Sequence, residues 1–530
     1  MPPVRIKRAV SFRIPRTGNF MQSVLYQGDT MTSRFYEMIP AVLSWGTIIA
    51  VVLASWRAPV AAAIFIILFD IYWLFKTIYF SLHLRATFRR MRANMKKNWL
   101  EKLENQQPDW RDVYHLVILP MAGEPYEIVR ESFAALARAN YPADRLIVAL
   151  AREARLPESA DVAERIAGEF GASFFRFLMT AHPDGLPGEI PGKGSNETWA
   201  AKQAKMSIID PAGIPYENIL VSVFDVDTQI VPEYFGILTH AFLTAPHPQR
   251  SSYQPVAMFT NNIYQAPALA RVISFSSSFW HMIQQSRPER LITFSSHAMP
   301  FKALVDVGWW HTDIVSEDSQ IFWQCLLHYD GDWRTVPLDY PVSMDANAAP
   351  SFWATMRNLY KQQRRWGWGC ENIPYLLQGY ARNKKMSWRS KAYWLFHELE
   401  GKHSWATNTL IIFSLGWLPL FLGDAQFQFS VLSYNLPRMT RWVMSFSMIG
   451  VASSAVLGMI LLPPKPAWFR RRHYLLYIVQ WVLMPIHLII FSSLPALEAQ
   501  TRLALGGRWR LGFWITPKFR QKSPIEVELQ

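Results

Sequence analysis

The hydrophobic pattern changes texture three times along the chain. Residues 38–56 and 60–82 are nearly continuous apolar runs, each close to the length that crosses a bilayer. Only Arg57-Ala58-Pro59 separates them, which predicts a helical hairpin. From about residue 110, short β-branched runs alternate with amphipathic stretches. This predicts strands over Tyr114–Leu119, Leu146–Leu150, Ser173–Met179 and Ile219–Phe224, and helices over Tyr126–Asn140, Glu158–Phe170 and Thr198–Ile209. In the first of those helices Ile128, Val129, Phe133 and Leu136 share one face. Strand–helix alternation predicts an α/β domain with a mostly parallel sheet. Three further apolar runs follow, near 405–423, 442–462 and 475–497.

Charge divides the chain further. A basic tail over 1–36 carries Arg5, Lys7, Arg8, Arg13 and Arg16, followed by the hairpin at 37–82 and a basic linker at 83–109 with Arg85, Arg89, Arg90, Arg92, Lys96 and Lys97. Basic residues on both sides of the hairpin place both sides in the cytoplasm, together with the α/β domain at 110–380. Residues 381–404, with Lys384, Lys385, Arg389 and Lys391 among tryptophans, read as an interfacial segment. The C-terminal apolar segments then occupy 405–497 and a basic tail 498–530. Three crossings after a cytoplasmic domain leave that tail outside, whereas Arg502, Arg508, Arg510, Lys518 and Arg520 argue that it is inside. Either one segment is re-entrant or interfacial, or the charge rule fails; the sequence leaves both open. Asp70 lies within the second run, where a carboxylate is costly, and is expected to face the bundle interior and accept hydrogen bonds.

The net charge of +14 alone would suit nucleic acid or an anionic membrane. The basic clusters sit beside apolar segments, which selects membrane lipids and excludes nucleic acid as the partner. Mean hydropathy near zero (+0.03) fits apolar ends around an ordinary water-soluble domain. Cys325 and Cys370 have no metal-ligand spacing and read as buried, inert thiols. No removable secretory signal is expected, because the first apolar run comes late and no cleavage site follows it.

Candidate chemistry begins at Val221-Ser-Val-Phe-Asp225-Val-Asp227, a strand that ends in two carboxylates. Ligands collect at the carboxyl ends of strands in open α/β sheets, and paired aspartates there can hold a hard divalent cation against a diphosphate. Gly188-Glu-Ile-Pro-Gly-Lys193-Gly-Ser-Asn196 is not a nucleotide-hydrolysing loop: its glycine spacing is one short, and Gly194 replaces the hydroxyl residue. It is expected to be a flexible turn presenting Lys193 and Asn196. Asp313-Ile-Val-Ser-Glu317-Asp318 precedes an amphipathic helix and reads equally as a plain helix N-terminus. The stretch from Tyr360 to Gly369 places Gln362, Arg365 and Trp366 on a basic aromatic helix, which could also simply lie on a membrane surface.

Taken in order, Asp225-Val-Asp227, Ser316-Glu317-Asp318 and Gln362-Gln-Arg-Arg365-Trp366 resemble the D-x-D, T-E-D and Q-x-x-R-W clusters of membrane-integrated family 2 glycosyltransferases, the group of the cellulose, chitin, hyaluronan and poly-N-acetylglucosamine synthases. The resemblance covers about 110–380 and the flanking apolar segments, and Phe513-Trp-Ile-Thr516-Pro-Lys518 resembles the tail of several members. Two departures stand out. The second strand, which usually ends in a base-contacting aspartate, reads Arg152-Glu153 here, and the threonine of T-E-D is Ser316. Near the first strand Pro120-Met-Ala-Gly-Glu124 departs from the usual P-x-Y-N-E but keeps its glutamate.

The resemblance implies a GT-A type nucleotide-sugar-binding domain and inverting transfer from a nucleotide diphosphate sugar, by family habit a UDP-sugar. Asp225 and Asp227 would hold Mg²⁺ or Mn²⁺, and Glu124, Glu153, Lys193, Asn196 and Arg365 would contact the donor. Asp318, with Glu317 beside it, would act as the general base, while Gln362 and Trp366 would bind the acceptor. It implies a multi-pass protein of the cell (inner) membrane with a cytoplasmic catalytic domain, and an accessory subunit would leave no trace in this sequence. A processive polysaccharide synthase is the first expectation. Single-sugar transfer to a lipid-linked acceptor is the second, and a non-catalytic carbohydrate transporter or scaffold the third. A polymer channel would be lined by polar and aromatic side chains, whereas a lipid site would be more apolar and open sideways.

Overall fold

The computed structural model describes residues 31–520. Arg5, Lys7, Arg8, Arg13 and Arg16 of the expected tail, and the last ten residues, lie outside the described residues. The apolar hairpin is formed by α1 (Met31–Arg57) and α2 (Pro59–Asn94), joined at Ala58, with Pro59 opening the second helix where no backbone donor is needed. α2 runs well past the expected end at residue 82, because nothing in Ser81–Arg92 breaks a helix, so the basic linker begins as helix rather than loop. Its Arg90 pairs with Asp339 (Nε–Oδ2 2.6 Å) and thereby anchors the hairpin to the α/β domain. Asp70 is buried; its Oδ2 accepts a hydrogen bond from Thr440 Oγ1 at 3.0 Å, which offsets part of the cost of a carboxyl group in this apolar setting, while Oδ1 has no partner.

The domain is built on eight strands: β1 (Tyr114–Met121), β2 (Leu146–Glu153), β3 (Arg176–His182), β4 (Ile219–Val223), β5 (Gln229–Ile230), β6 (Ser251–Phe259), β7 (Ala298–Pro300) and β8 (Arg334–Met344). Their order is β3-β2-β1-β4-β7-β6-β8-β5. β1, β2, β3 and β4 are mutually parallel, with Val117 opposite Val148 on one side and Ser222 on the other. Beyond β4 the sheet changes character. β7 is antiparallel to both β4 and β6, and β5 is antiparallel to β8, but β6 and β8 run parallel. The sheet is therefore mixed with four of its seven pairings parallel, in keeping with the expected mostly parallel sheet. β7 is three residues long and carries no alternating pattern, so only its neighbours define it as a strand.

Period-two alternation along β1 divides the core into two layers. Val117, Leu119 and Met121 face one layer, with Val148, Leu150 and Phe224. Leu116 and Ile118 face the other, with Ile147, Val221 and Val223. Helices α3 (Tyr126–Ala137) and α4 (Ser159–Phe170) cover the first face. Helix α5 (Lys193–Ala204) covers the second, through Ala200, Ala201 and Ala204. α5 begins at Lys193, not Thr198, so the expected flexible turn is the first turn of a helix. Gly194 is required there: a Cβ would come within 2.8 Å of the His311 carbonyl oxygen.

α6 (Tyr234–Thr244), α7 (Ala268–Gln285), α8 (Glu317–His328) and α9 (Phe352–Gly367) also belong to the domain. The expected interfacial segment 381–404 is not a separate element. Residues Trp388–Phe413 form one helix, α10, started by Ser387, whose side chain accepts from Ser390 N, and uninterrupted until Ser414. There the chain bends by 45° into Leu415–Leu422. α11 (Val431–Ile460) follows.

The stretch Arg471–Leu505 is long and apolar, but it is broken by tighter and wider turns at Gln480–Leu483 and Ile489–Ser493, and ends in α12 (Leu494–Leu505). Both of its halves pack on the α/β domain. Arg271 Nε donates to Gln480 Oε1 at 2.7 Å and Trp481 stacks on Phe279, while Glu498 accepts from Arg364 (2.6 Å) and Tyr360 (2.9 Å). Counting this stretch, four helices among the described residues are long and apolar enough to cross a membrane, or five if the bent pair is one span.

Candidate active site

β4 and the turn after it deliver the two aspartates. Phe224 N donates to Ile118 O at 3.0 Å, and Thr228 N closes a turn on Asp225 O at 2.8 Å, which fixes both carboxylates at the carboxyl end of the parallel half of the sheet. Asp227 is fully buried. Its Oδ2 accepts from Asp345 N (3.0 Å) and from Lys518 Nζ (2.5 Å), whereas Oδ1 has no partner. Burial raises its pKa, only partly offset by Lys518, and Asp345 and Asp225 add to the rise. Burial also opposes the anion at Asp225, yet Lys193, Lys518 and Arg365 outweigh it and hold that carboxyl at about 2.

Lys193 is not presented to solvent. It lies buried among the acids, with Nζ 2.7 and 2.9 Å from the two oxygens of Asp318, 3.1 Å from Asp225 and 3.8 Å from Glu317. Burial alone would release its proton, but Asp225, Asp318, Glu197 and Glu317 hold it firmly charged. Asn196 is buried one helical turn on; its Nδ2 donates to Ala151 O at 2.8 Å, tying α5 to β2, and its Oδ1 is unpartnered.

Glu317 and Asp318 open α8. Ser316 stands at the N-cap position with Glu317 and Asp318 in the first turn, as a helix N-terminus requires, but its Oγ donates to Glu371 instead of capping the helix. Asp318 keeps 21% of its side chain exposed while Glu317 keeps 2%. Burial, reinforced by Asp318, pushes Glu317 up to about 8, so it is protonated at neutral pH. Because this pKa lies above that of the unfolded chain, the stabilisation it brings is complete below about 4.5 and is lost as pH rises through 8. We therefore expect Glu317→Gln to flatten the fall in melting temperature between pH 5 and 9; an unchanged slope would contradict this assignment.

On α9, Gln362, Arg365 and Trp366 share a face at i, i+3 and i+4. The Arg365 guanidinium lies 5.2 Å from the Phe513 ring, Gln362 Oε1 accepts from Asn347 Nδ2 at 3.4 Å, and Trp366 packs on Phe259. Glu124 accepts from Ala122 N at 2.8 Å. Glu153 ends β2, 3.4 Å from both Arg155 Nε and His182 Nδ1. Burial disfavours charge on His182, but Glu153 and Glu189 outweigh it and raise the imidazole to about 9.

All eleven of these candidate residues line one cavity of about 1390 Å³. It continues between α2, α7, α10 and α11, where Trp73, Lys76, Trp280, Trp405, Asn408 and Arg441 form part of its wall. Sequence reasoning missed four residues here. Glu197 follows Lys193 by one helical turn, is fully buried, and has no partner on either oxygen; it lies with Glu317 and Asp318 so that ligand atoms of all three fall within 4.8 Å. Its i+4 spacing from Lys193 was the available signal. Lys518 on Asp227, Asp345 beside it and Glu371 reach the site only through long-range folding. Arg520 pairs with Asp345 (2.6 Å) and with Glu131, which seats the chain around Lys518.

Every candidate metal ligand is a carboxylate oxygen, a donor set that fits Mg²⁺ or Mn²⁺. Two groups compete for such an ion: Asp225 with Asp227, whose Oδ1 is open, and the Glu197–Glu317–Asp318 cluster. Both groups already carry ammonium counter-charge, Lys193 on Asp318 and Asp225 and Lys518 on Asp227, so counter-charge alone does not choose between them.

No protein-family model matches the sequence, and no curated protein matches it. Among solved structures the chain is similar to the mannosyltransferase PcManGT from Pyrobaculum calidifontis in complex with GDP-Man and Mn²⁺, at 14% identity and a TM-score of 0.38, covering 79% of this chain and 99% of that one. It is also similar to residues 1–349 of TarS from S. aureus in complex with UDP-GlcNAc, at 12% identity and a TM-score of 0.35, covering 65% of this chain and 90% of that one. At such TM-scores neither likeness decides anything about this chain.

Proposed function

We propose that this chain is a membrane-integrated, inverting glycosyltransferase of the family 2 kind, with a GT-A type domain that extends a polysaccharide from a nucleotide diphosphate sugar. One observation carries the reading: a single cavity joins the Asp225–Asp227–Lys193–Asp318 cluster to polar and aromatic side chains on the long apolar helices. The chemistry supplied by a divalent ion held on Asp225 and Asp227 is neutralisation of the leaving diphosphate. Arg365 adds positive charge on the same side, where charge develops as the bond breaks. Glu124, Glu153 and Asn196 contact the nucleoside end. Lys193 grips both oxygens of Asp318 and aims them at the acceptor, held by Gln362 and Trp366. The acceptor hydroxyl attacks the anomeric carbon in line, its proton passes to Asp318, and the bond to the diphosphate breaks. A single displacement with no protein nucleophile inverts the anomeric centre.

The same reading places the α/β domain on the cytoplasmic face of the inner membrane. α1, α2, α10 with its bent continuation, and α11 are the crossings. A Cβ on Gly423, after the bend, would lie 3.1 Å from Pro59 at the hairpin tip, which puts the two turns at one end. Arg471–Leu505 stays on the domain side, since both of its halves pack there. The tail residues Arg502, Arg508, Arg510, Lys518 and Arg520 are then all inside, as the charge rule requires.

The cavity wall mixes polar and aromatic side chains (Lys76, Trp405, Asn408, Arg441) with aliphatic ones (Ile412, Val443, Leu488), so the product itself decides between a growing polymer and a lipid-linked acceptor. Size fractionation of the product separates the two. Label in a large glycan supports the synthase, whereas label confined to the lipid extract replaces it with single-sugar transfer.

A further inference from the structure

The proposed base sits at the start of α8, one residue after Glu317 and two after Ser316. What holds that turn in place is Glu371, in the short turn after α9. Glu371 is buried, and its carboxylate takes four donors. Oε1 accepts from Val315 N (3.2 Å), Ser316 N (3.0 Å) and Ser316 Oγ (2.6 Å), and Oε2 accepts from Trp368 Nε1 (2.7 Å). A parallel tie runs from Asn372 Nδ2 to Ser319 Oγ at 3.0 Å. Trp368 packs with Val315, Cys370, Ala499 and Leu503, and a Cβ on Gly367 would meet Ala496 Cα at 3.0 Å. The base turn, the end of the helix carrying Gln362, Arg365 and Trp366, and α12 therefore meet at one buried carboxylate.

We propose that Glu371 is a positioning residue: through its bonds to Val315, Ser316 and Trp368 it holds the Asp318 turn in fixed register with the acceptor-binding helix. The proposal rests on the reading of Asp318 as the base. Four donors on one buried carboxyl group leave the turn little freedom. Its importance lies in geometry, because a displacement of about 1 Å at a reacting group costs on the order of 10²-fold in rate.

Glu371→Gln tests this in the full chain. One amide oxygen still accepts from Ser316, but the amide nitrogen then faces the Trp368 indole N–H, donor against donor. We expect amides in the 313–319 segment to exchange with deuterium at least about 10-fold faster, a readout that needs no activity. Donors for the kinetics are UDP-glucose, UDP-GlcNAc and GDP-mannose. With the one that is used, turnover falls about 10- to 100-fold while the donor KM stays within about threefold. Adding Trp368→Phe removes the opposed donor and recovers much of the loss. Unchanged exchange, turnover within twofold of the parent, or a loss carried wholly by KM would each overturn the proposal. Should Glu371→Gln fail to fold, Ser316→Ala removes one bond only; faster exchange with lower turnover supports the tie, and no change in either overturns it. Asp318→Asn separates the two readings. If it stays active while Glu371→Gln is impaired, Asp318 is not the base and the tie serves another group. If it is inactive while Glu371→Gln is unimpaired, the tie alone is wrong.

Discussion

Asp318→Asn is expected to lower sugar transfer by about 10²- to 10⁴-fold, the range set by removing a positioned general base. Of the two adjacent acids, only Asp318 suits that role. It retains access to the cavity, with 21% of its side chain exposed, and Lys193 bonds both of its oxygens at 2.7 and 2.9 Å. Glu317 is 2% exposed and held protonated by burial, so it cannot accept a proton at neutral pH. Asparagine preserves the volume and keeps one oxygen for Lys193, but its amide nitrogen opposes the second Lys193 contact, so a melting curve measured beside the rate separates lost folding from lost turnover. Turnover within about threefold of the parent would remove Asp318 from the mechanism.

Asp227→Ala is expected to cost about 10²- to 10³-fold, comparable with removing a principal electrostatic stabiliser of the transition state. Chelator should do the same to the parent chain, and Mn²⁺ should restore the parent but not the variant. Asp227 is the natural anchor: it is wholly buried, fixed by Asp345 N, and has Oδ1 free. Lys518 already sits on Oδ2 at 2.5 Å, so an ion there shares that oxygen with an ammonium group or displaces it. Paramagnetic Mn²⁺ binding distinguishes the two carboxylate groups. Loss of binding in Asp227→Ala but not in Glu197→Gln supports the D-x-D site; the reverse pattern moves the ion to the Glu197–Glu317–Asp318 cluster.

Much of the fold was legible because its elements have strong periods. β1, β2 and β4 are continuous buried runs, and the four expected strands lie within a few residues of their expected bounds, whereas α1, α2 and α5 depart further from theirs. What escaped detection was structure imposed from outside. β7 is a three-residue strand that exists only because β4 and β6 flank it. α10 merges an amphipathic and an apolar stretch that differ in composition but contain no breaker. Arg471–Leu505 has the hydropathy of a span, and only its contacts with Arg271, Phe279 and Arg364 reveal that it returns to the domain. The site divides in the same way. Asp225, Asp227, Glu317, Asp318 and Arg365 stood out as local clusters. Lys193 was noticed, but as an exposed donor contact rather than the buried counter-ion of three acids. Lys518 and Glu371 lie far from their partners in sequence; Lys518 stood in a recognised tail stretch but nothing there tied it to Asp227, and nothing local marks Glu371.

The most direct measurement is sugar transfer by the purified full chain in lipid nanodiscs, using labelled UDP-glucose, UDP-GlcNAc and GDP-mannose with Mn²⁺, with Mg²⁺ and with chelator. A glycosyltransferase built on this site moves label from at least one donor into a larger product, in a metal-dependent manner and not in Asp318→Asn. Folded protein that moves no label from any of them, with oligosaccharide and lipid-linked acceptors supplied, would contradict the catalytic reading.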